Sequence, residues 1–543
     1  PHTELINPKM RRQHQLEIEA EIRKSKLHVQ FYYNRNQYES STVQRLGSLM
    51  KNALIQITDH CSGRKISEIT PSDMTWSNLS LSEFETLLND NNLLAQDVQD
   101  IYPLTPMQEN MLFHRLYDAD STAYFEQFSF TLKGKLNLKW FQSAWNHIAG
   151  RHDILRTNFI YKSVPKPLQV VRKKGFIDWH YEDLSGQKDV QAYLSAFKIQ
   201  ERKRNFELDR DILMRMNIFK IDADQYAAIW SYHHILMDGW CLGVLIQDVQ
   251  AAYIELSRGR KPKFPPAPQY KEYIRWLDKA DNSRALSYWS SYLDGFTPIT
   301  PLPRDSKYLE NQEISLETAD NEDNNQILKP VIQSLYSFEI DADISSQLAF
   351  MSREMQITIN TLVQSIWGIL LSDRNKAADV VFGAAVSGRP VDVPNVEDIV
   401  GLFINTIPVR VLLPEKISFI ELVKTLQKES LSSEPYHFIS LAEIQTACGL
   451  ESALLDHVLI FQNYPLSDEL EEFQKKYDAG FTISNLEALE ETNYDLSVEI
   501  YPLPNLHFDL RYNPCAYSSE CIAKAAKDIS SLFEAVAKTP DIN

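Results

Sequence analysis

The sequence predicts an α/β (α+β) fold with two lobes, and three observations carry that prediction. Strand-like runs alternate with helical runs along most of the chain, the pattern of sheets layered with helices. Hydrophobic residues fill 44% of the 543 positions and aromatics 11%, which is enough apolar surface for substantial cores. A chain of this length also exceeds what one hydrophobic core usually organises, so at least two bodies are expected.

From the amino terminus, residues 27–40 (LHVQFYYNRNQYES) read as an alternating strand and a polar turn, followed by an amphipathic helix over 43–57. The same order returns at the other end. Residues 506–519 (LHFDLRYNPCAYSS) align to the first copy without gaps, and a helical pattern runs over 520–536. Leu27, His28, Tyr33, Asn34, Tyr38 and Ser40 recur as Leu506, His507, Tyr512, Asn513, Tyr517 and Ser519. A repeat of strand, turn and helix predicts that the chain opens with the closing elements of one domain and ends with those of a homologous one. Residues 1–60 are accordingly read as a remnant of a preceding domain and 61–97 as a polar linker. The N-terminal lobe is then 98–290 and the C-terminal lobe 291–543. Inside the linker, Ser80-Leu81-Ser82-Glu83 has the spacing of a helix start. Strands are expected at 128–133, 226–232 and 380–386, and helices at 139–151, 242–257 and 357–371. The polar, acidic stretch 305–325 reads as an excursion between the lobes.

Lys plus Arg number 55 against 73 Asp plus Glu, a net charge of −18 that argues against a nucleic-acid partner. The five cysteines are odd in number, widely spaced and form no CxxC pair, so neither a disulfide framework nor a zinc site is indicated, and a reducing, cytoplasmic setting is expected. No apolar segment opens the sequence and no run of about 18 apolar residues occurs, so no membrane association is expected.

One constellation carries chemistry: Ser231-Tyr232-His233-His234-Ile235-Leu236-Met237-Asp238-Gly239-Trp240. A strand runs into two histidines, then a turn, then a helix. Neighbours on a strand point to opposite faces, so at most one imidazole meets a given set of reactants. Near pH 7 that imidazole can be neutral and able to take a proton. Asp238 is suited to pair with a buried arginine, and Gly239 permits a turn that other residues resist. The plain alternative is a core histidine beside an ordinary turn. HxxxD with no third ligand is not a metal site.

The wider pattern resembles the condensation domains of non-ribosomal peptide synthetases, whose superfamily includes chloramphenicol acetyltransferase. HHxxxDG at 233–239 is similar to the family signature, LTPMQENMLFH at 104–114 to its opening motif and RHDILRTNF at 151–159 to its second. YKEYIRW at 270–276 and VGLFINTIPVR at 400–410 resemble the fourth and fifth, and 379–390 and 456–465 also fit. The likeness spans 98–543. It implies two chloramphenicol-acetyltransferase-like lobes in a V-shaped arrangement around a central tunnel, and amide formation between two carrier-bound substrates.

By the same resemblance the site is His234, His233, Asp238 and Gly239. His234 takes the active-site position, either as general base or by holding the acceptor amine. Gly239 would offer a backbone N–H to the oxyanion, and His233 and Asp238 would be structural. Arg389 is the expected partner of Asp238, with Arg410 the alternative. Arg151, His152 and Arg156 would tie their helix to the core, Asn405 and Trp240 stand at possible tunnel positions, and Cys241 is a packing residue. No metal or resident cofactor is implied. The 4′-phosphopantetheine arms would be carried by the upstream donor and downstream acceptor carrier domains, with epimerisation and adenylation domains adjacent. This chain has no Gly-Gly pair for a carrier's attachment motif and no GxSxG elbow. The intact histidines argue against a heterocyclisation domain. The stretch around 59–73 resembles the outgoing end of an epimerisation domain. With 102–109 and 233–241, it suggests a D-configured donor and an L-configured acceptor. A non-catalytic carrier-recruitment module of the same fold is the alternative.

Overall fold

The computed structural model describes residues 14–63, 69–118, 121–296, 300–304, 333–450, 453–462, 479–490, 492–502 and 505–539. The acidic stretch 305–325 lies outside them. The chain divides into two compact units, Pro1–Ile69 and Thr70–Asn543.

In the first unit an antiparallel hairpin, Leu16–Arg23 with Lys26–Tyr33, precedes the helix Ser40–Gly63. Only Val43 of that helix is buried.

The second unit already begins inside the stretch expected to be a linker. Ser80 caps the helix Leu81–Asp90 in a capping box with Glu83, which satisfies otherwise orphaned N–H groups. Phe84, Leu87 and Leu88 form one helical stripe and are buried. Thr75 reaches forward, its N–H and hydroxyl donating to Asp100 Oδ1 and Oδ2 at 2.7 Å each. An apolar stripe at i, i+3 and i+4 makes this stretch part of the body.

Two larger sheets organise the unit. The first runs in the order Phe481–Leu489, Phe125–Gly134, Gln225–His233, Met214–Asp222, Asp178–Asp183. It is antiparallel except at Asp178–Asp183. The helices Leu138–Arg151 and Trp240–Ser257 contribute Phe141, Trp145, Leu245 and Val249 to the core it shares. The second sheet runs Ser334–Glu339, His507–Tyr512, Leu496–Tyr501, Val458–Phe461, Asp379–Val386, Asn405–Leu412. Its core is closed by the helices Ile359–Asn375 and Ser519–Lys538. A small three-stranded sheet, Val98–Pro103, Leu168–Arg172 and Thr157–Ile160, completes the set.

Two segments tie the sheets together. Phe481–Leu489, which the division at residue 290 would leave in the C-terminal lobe, forms the edge of the first sheet against Phe125–Gly134. The stretch after Asp379–Val386 also crosses, burying Val393, Val396, Ile399, Val400, Leu402 and Phe403 in the first core. The residues that follow the two crossings, Glu490 and Ile404, line one cavity together with His234.

Candidate active site

The strand Gln225–His233 pairs with Phe125–Gly134 so that His233 stands opposite Phe125, at the end of the ladder. The chain then turns in a short 3₁₀ segment, His234–Leu236, and enters the helix Trp240–Ser257. His233 is 1% exposed, and its Nδ1 accepts from the Ile235 N–H at 3.1 Å. Burial pushes it down to about 3, with His234 and Arg115 adding to the shift. Such an imidazole is neutral and engaged in shaping the turn.

His234 differs from its neighbour. Its N–H donates to Tyr124 O at 2.8 Å, which pins the residue to the adjacent strand entry. Its side chain is half-buried and lines a cavity of about 290 Å³. Burial lowers its pKa from the ordinary imidazole value, so the neutral form prevails near pH 7. The opening-motif helix Pro106–Tyr117 secures the same turn. Gln108, fully buried in a capping box with Thr105, donates from Nε2 to Ile235 O at 3.1 Å.

Asp238 is the knot of the site. Its Oδ1 accepts from Arg389 Nη2 at 3.0 Å and its Oδ2 from the Phe403 N–H at 2.9 Å. Arg389 also donates from Nη1 to Val396 O and Ile399 O and lies 4.1 Å from the centre of the Phe403 ring. Both ends of this ion pair are buried, so each charge depends on the other. The pair locks the histidine turn to the crossing segment. Arg410 is bound elsewhere, to Asp379 at 2.8 Å.

Gly239 lines the cavity but not for the conformational reason expected of it. Its φ is −60° and ψ −28°, ordinary right-handed values open to any residue. Trp240 lines the cavity as well, with Nε1 donating to Glu397 O at 3.0 Å. Asn405 does not line it. The residues on either side, Ile404 and Thr406, do, whereas Asn405 turns away and donates to His437 O and Ile439 O at 2.7 Å each. Strand alternation puts it on the other face. Arg151 and His152 both reach Asp248, at 2.9 and 2.8 Å, and so bind their helix to Trp240–Ser257. Arg156 pairs with Asp153 at 2.6 Å, and none of these three lines the cavity. Cys241 is buried, and burial with Asp238 beside it pushes its thiol up to about 12, which removes it as a nucleophile.

Sequence reasoning missed the opposite wall. Tyr124 donates from its hydroxyl to Asn493 Oδ1 at 2.8 Å, closing the cavity across a separation of several hundred residues. Glu490 and Glu499 stand on the same wall. Glu499 accepts from Arg511 Nε at 2.7 Å, a diagonal partner across the Leu496–Tyr501 and His507–Tyr512 ladder. Burial raises both carboxyls, Glu490 adding to the rise at Glu499 and Arg511 opposing it. Nothing in local sequence marks these residues, because Tyr124, Glu490 and Glu499 sit in or beside ordinary strands and Asn493 in a bend between two of them. Among the described residues no cluster could hold a metal ion, and no helix is long and apolar enough to cross a membrane.

Comparison with known proteins fits this geometry. The Condensation domain family model matches residues 98–543. Tyrocidine synthase 2 of Brevibacillus parabrevis is 36% identical over 449 residues, covering 82% of this chain and 12% of the relative. Bacitracin synthase 3 of Bacillus licheniformis is 31% identical over 542 residues, 98% of this chain and 8% of its own length. The chain thus spans only a small part of these relatives. Among solved structures, the first condensation domain of the calcium-dependent antibiotic synthetase, in complex with a substrate analogue, superposes with a TM-score of 0.64 at 15% identity, covering 82% of this chain and 98% of that one. The four-domain nonribosomal peptide synthetase holo-AB3403, bound to AMP and glycine, gives 0.65 at 16%, covering 82% and 33%. With its two sheet-centred, chloramphenicol-acetyltransferase-like lobes and its HHxxxDG turn in the cavity where their segments meet, the chain belongs to the condensation-domain family.

Proposed function

We propose that this chain forms a peptide bond between two substrates presented by carrier domains. One observation carries the reading: His234, kept neutral by burial, lines the cavity where both sheets' segments meet, while His233 is sealed behind it. An upstream carrier presents a peptidyl or aminoacyl thioester and a downstream carrier an α-amine. The amine nitrogen attacks the carbonyl carbon, the C–N bond forms, the C–S bond breaks, and the nitrogen's proton ends on the departing thiolate. His234 takes that proton in transit or holds the amine so that its lone pair faces the carbonyl. Because the thioester is already activated, orientation alone supplies much of the acceleration. Gly239, at the start of an 18-residue helix, offers a backbone N–H to the oxyanion. The 4′-phosphopantetheine arms belong to the carriers and enter as part of the substrates. The lining supports their passage, with Met107, Met111 and Ile404 against apolar segments and Thr406 and Asn493 for amide groups.

Finer readings belong to the same proposal. The likeness of 59–73 to the outgoing end of an epimerisation domain supports a D-configured donor and an L-configured acceptor, with epimerisation and adenylation domains as neighbours. Residues 1–60 are then the closing elements of the preceding domain, with lobes at 98–290 and 291–543 apart from the segments 393–403 and 481–489, which cross to the first sheet, and the setting is cytoplasmic.

The test is dipeptide formation between two loaded carriers. His234→Ala, still folded, is expected to lose about a hundredfold or more of the rate. Equal use of L- and D-configured donors would remove the stereochemical part. No product from the native chain with either donor would favour the recruitment module instead.

A further inference from the structure

The two copies of the internal repeat fold alike but are covered differently. In Thr70–Asn543 the hairpin formed by Leu496–Tyr501 and His507–Tyr512 is inserted into the six-stranded sheet. One strand runs parallel to Leu496–Tyr501 and one antiparallel to His507–Tyr512 on the outer sides. In Pro1–Ile69 the hairpin Leu16–Arg23 with Lys26–Tyr33 has the matching register: Leu16 faces Tyr33 as Leu496 faces Tyr512, and Ile18 faces Phe31 as Val498 faces Leu510. Among the described residues it is a sheet of two strands, and none of them lays a third strand along either outer edge.

The helices repeat at one constant offset. Val43, Leu46, Met50, Leu54 and Ile57 occupy the places of Ile522, Ala525, Ile529, Phe533 and Val536. The second set is buried throughout. In the first set Leu46 is 40% exposed, Leu54 37% and Ile57 60%. Between that helix and its hairpin runs an apolar groove of about 750 Å³, lined by Val29, Phe31, Met50 and Leu54 among others. A face of this size, continuous with those two strand edges, is not a stable solvent surface.

We infer that this hairpin and helix complete the sheet of a second condensation-fold body, which lays a parallel strand along Leu16–Arg23 and an antiparallel strand along Lys26–Tyr33. The occupant is identified by the repeat, since the same elements in this chain are covered by just such a sheet. The inference rests on the family reading and on the repeat but not on peptide-bond formation, so a failed condensation assay leaves it standing.

The experiment places single cysteines at Met50→Cys and Leu54→Cys and follows maleimide labelling by peptide mass, in this chain and in the longest natural polypeptide that contains it. Hydrogen exchange over 16–33 is read in parallel. Labelling that is fast in the chain and slower by roughly tenfold or more in the longer polypeptide, with protected amides on both hairpin edges, is the expected result. Equal labelling in both would overturn the inference. So would protection in the chain alone that grows with its concentration, because a second copy would then be the cover. A scrambled fold is detected separately, by loss of exchange protection in the 507–538 elements.

Discussion

Asp238 sets the local geometry of the site more than either histidine does. Its carboxylate is shared between the Arg389 guanidinium and the Phe403 N–H, and both ion-pair partners are nearly sealed from water. Replacing only one partner strands the other charge. Arg389→Met should therefore cost about 3–5 kcal/mol of unfolding free energy, measured by urea denaturation. Asp238→Asn should cost less than the arginine change, since its amide oxygen can still accept from Phe403. The double variant Asp238→Asn/Arg389→Met should be more stable than the two single losses added together, because it leaves no buried charge unpaired. Strict additivity would mean that the pair does not hold the turn. Gly239 offers a contrast at the same scale: its backbone is ordinary, so no left-handed conformation requires a glycine there.

At the scale of elements, the crossing segment between Asp379–Val386 and Asn405–Leu412 decides whether the two sheets share a site. Gly388 makes its first bend with φ +59°, and a Cβ there would stand 2.0 Å from Phe403 O. That oxygen belongs to Phe403, the residue whose N–H Asp238 holds, so it cannot move aside cheaply. Gly388→Ala should lose more than about 2 kcal/mol, from left-handed strain and the clash together, and should reduce condensation with it. Gly449→Ala is the control: its φ is +65° but nothing lies within 4 Å, so only about 1 kcal/mol of backbone strain is expected. Similar costs in the two variants would show that the crossing segment yields.

The same elements show what the sequence makes legible. Helices such as Leu138–Arg151 follow from periodicity because one face is buried against a local core, and the strand Gln225–His233 follows from its apolar run because both of its faces are buried. The histidine turn and its arginine were readable through the motif. Phe481–Leu489 was not, because most of its residues are exposed and its partner lies far away in the chain, so pairing comes from tertiary placement. The side that Asn405 faces is not legible in the sequence, because alternation along its strand depends on where that strand starts, which the motif alone does not give.

Across the whole molecule, the buried titratable groups pull stability in opposite directions with pH. His233 is held down to about 3 when folded, against an ordinary value of about 6.5 when unfolded. Between those values the unfolded chain binds a proton that the folded chain refuses. Stability therefore falls as pH falls through this window, by up to about 1.4 kcal/mol per pH unit. His437, pushed down to about 4 by burial, acts in the same direction. Glu490 and Glu499 act the other way: their raised pKa values let the folded state keep protons that the unfolded chain releases, so rising pH costs stability. A plain pH scan mixes these contributions. His233→Asn separates one of them, since an amide oxygen can still accept from the Ile235 N–H while the titrating group is gone. Urea midpoints for native and variant should run parallel above about pH 6.5 and converge below it, the variant losing less with each unit of acid. Curves that stayed parallel down to about pH 4.5 would mean that His233 takes its proton in the folded state, and the sealed imidazole behind His234 would have to be reached by water.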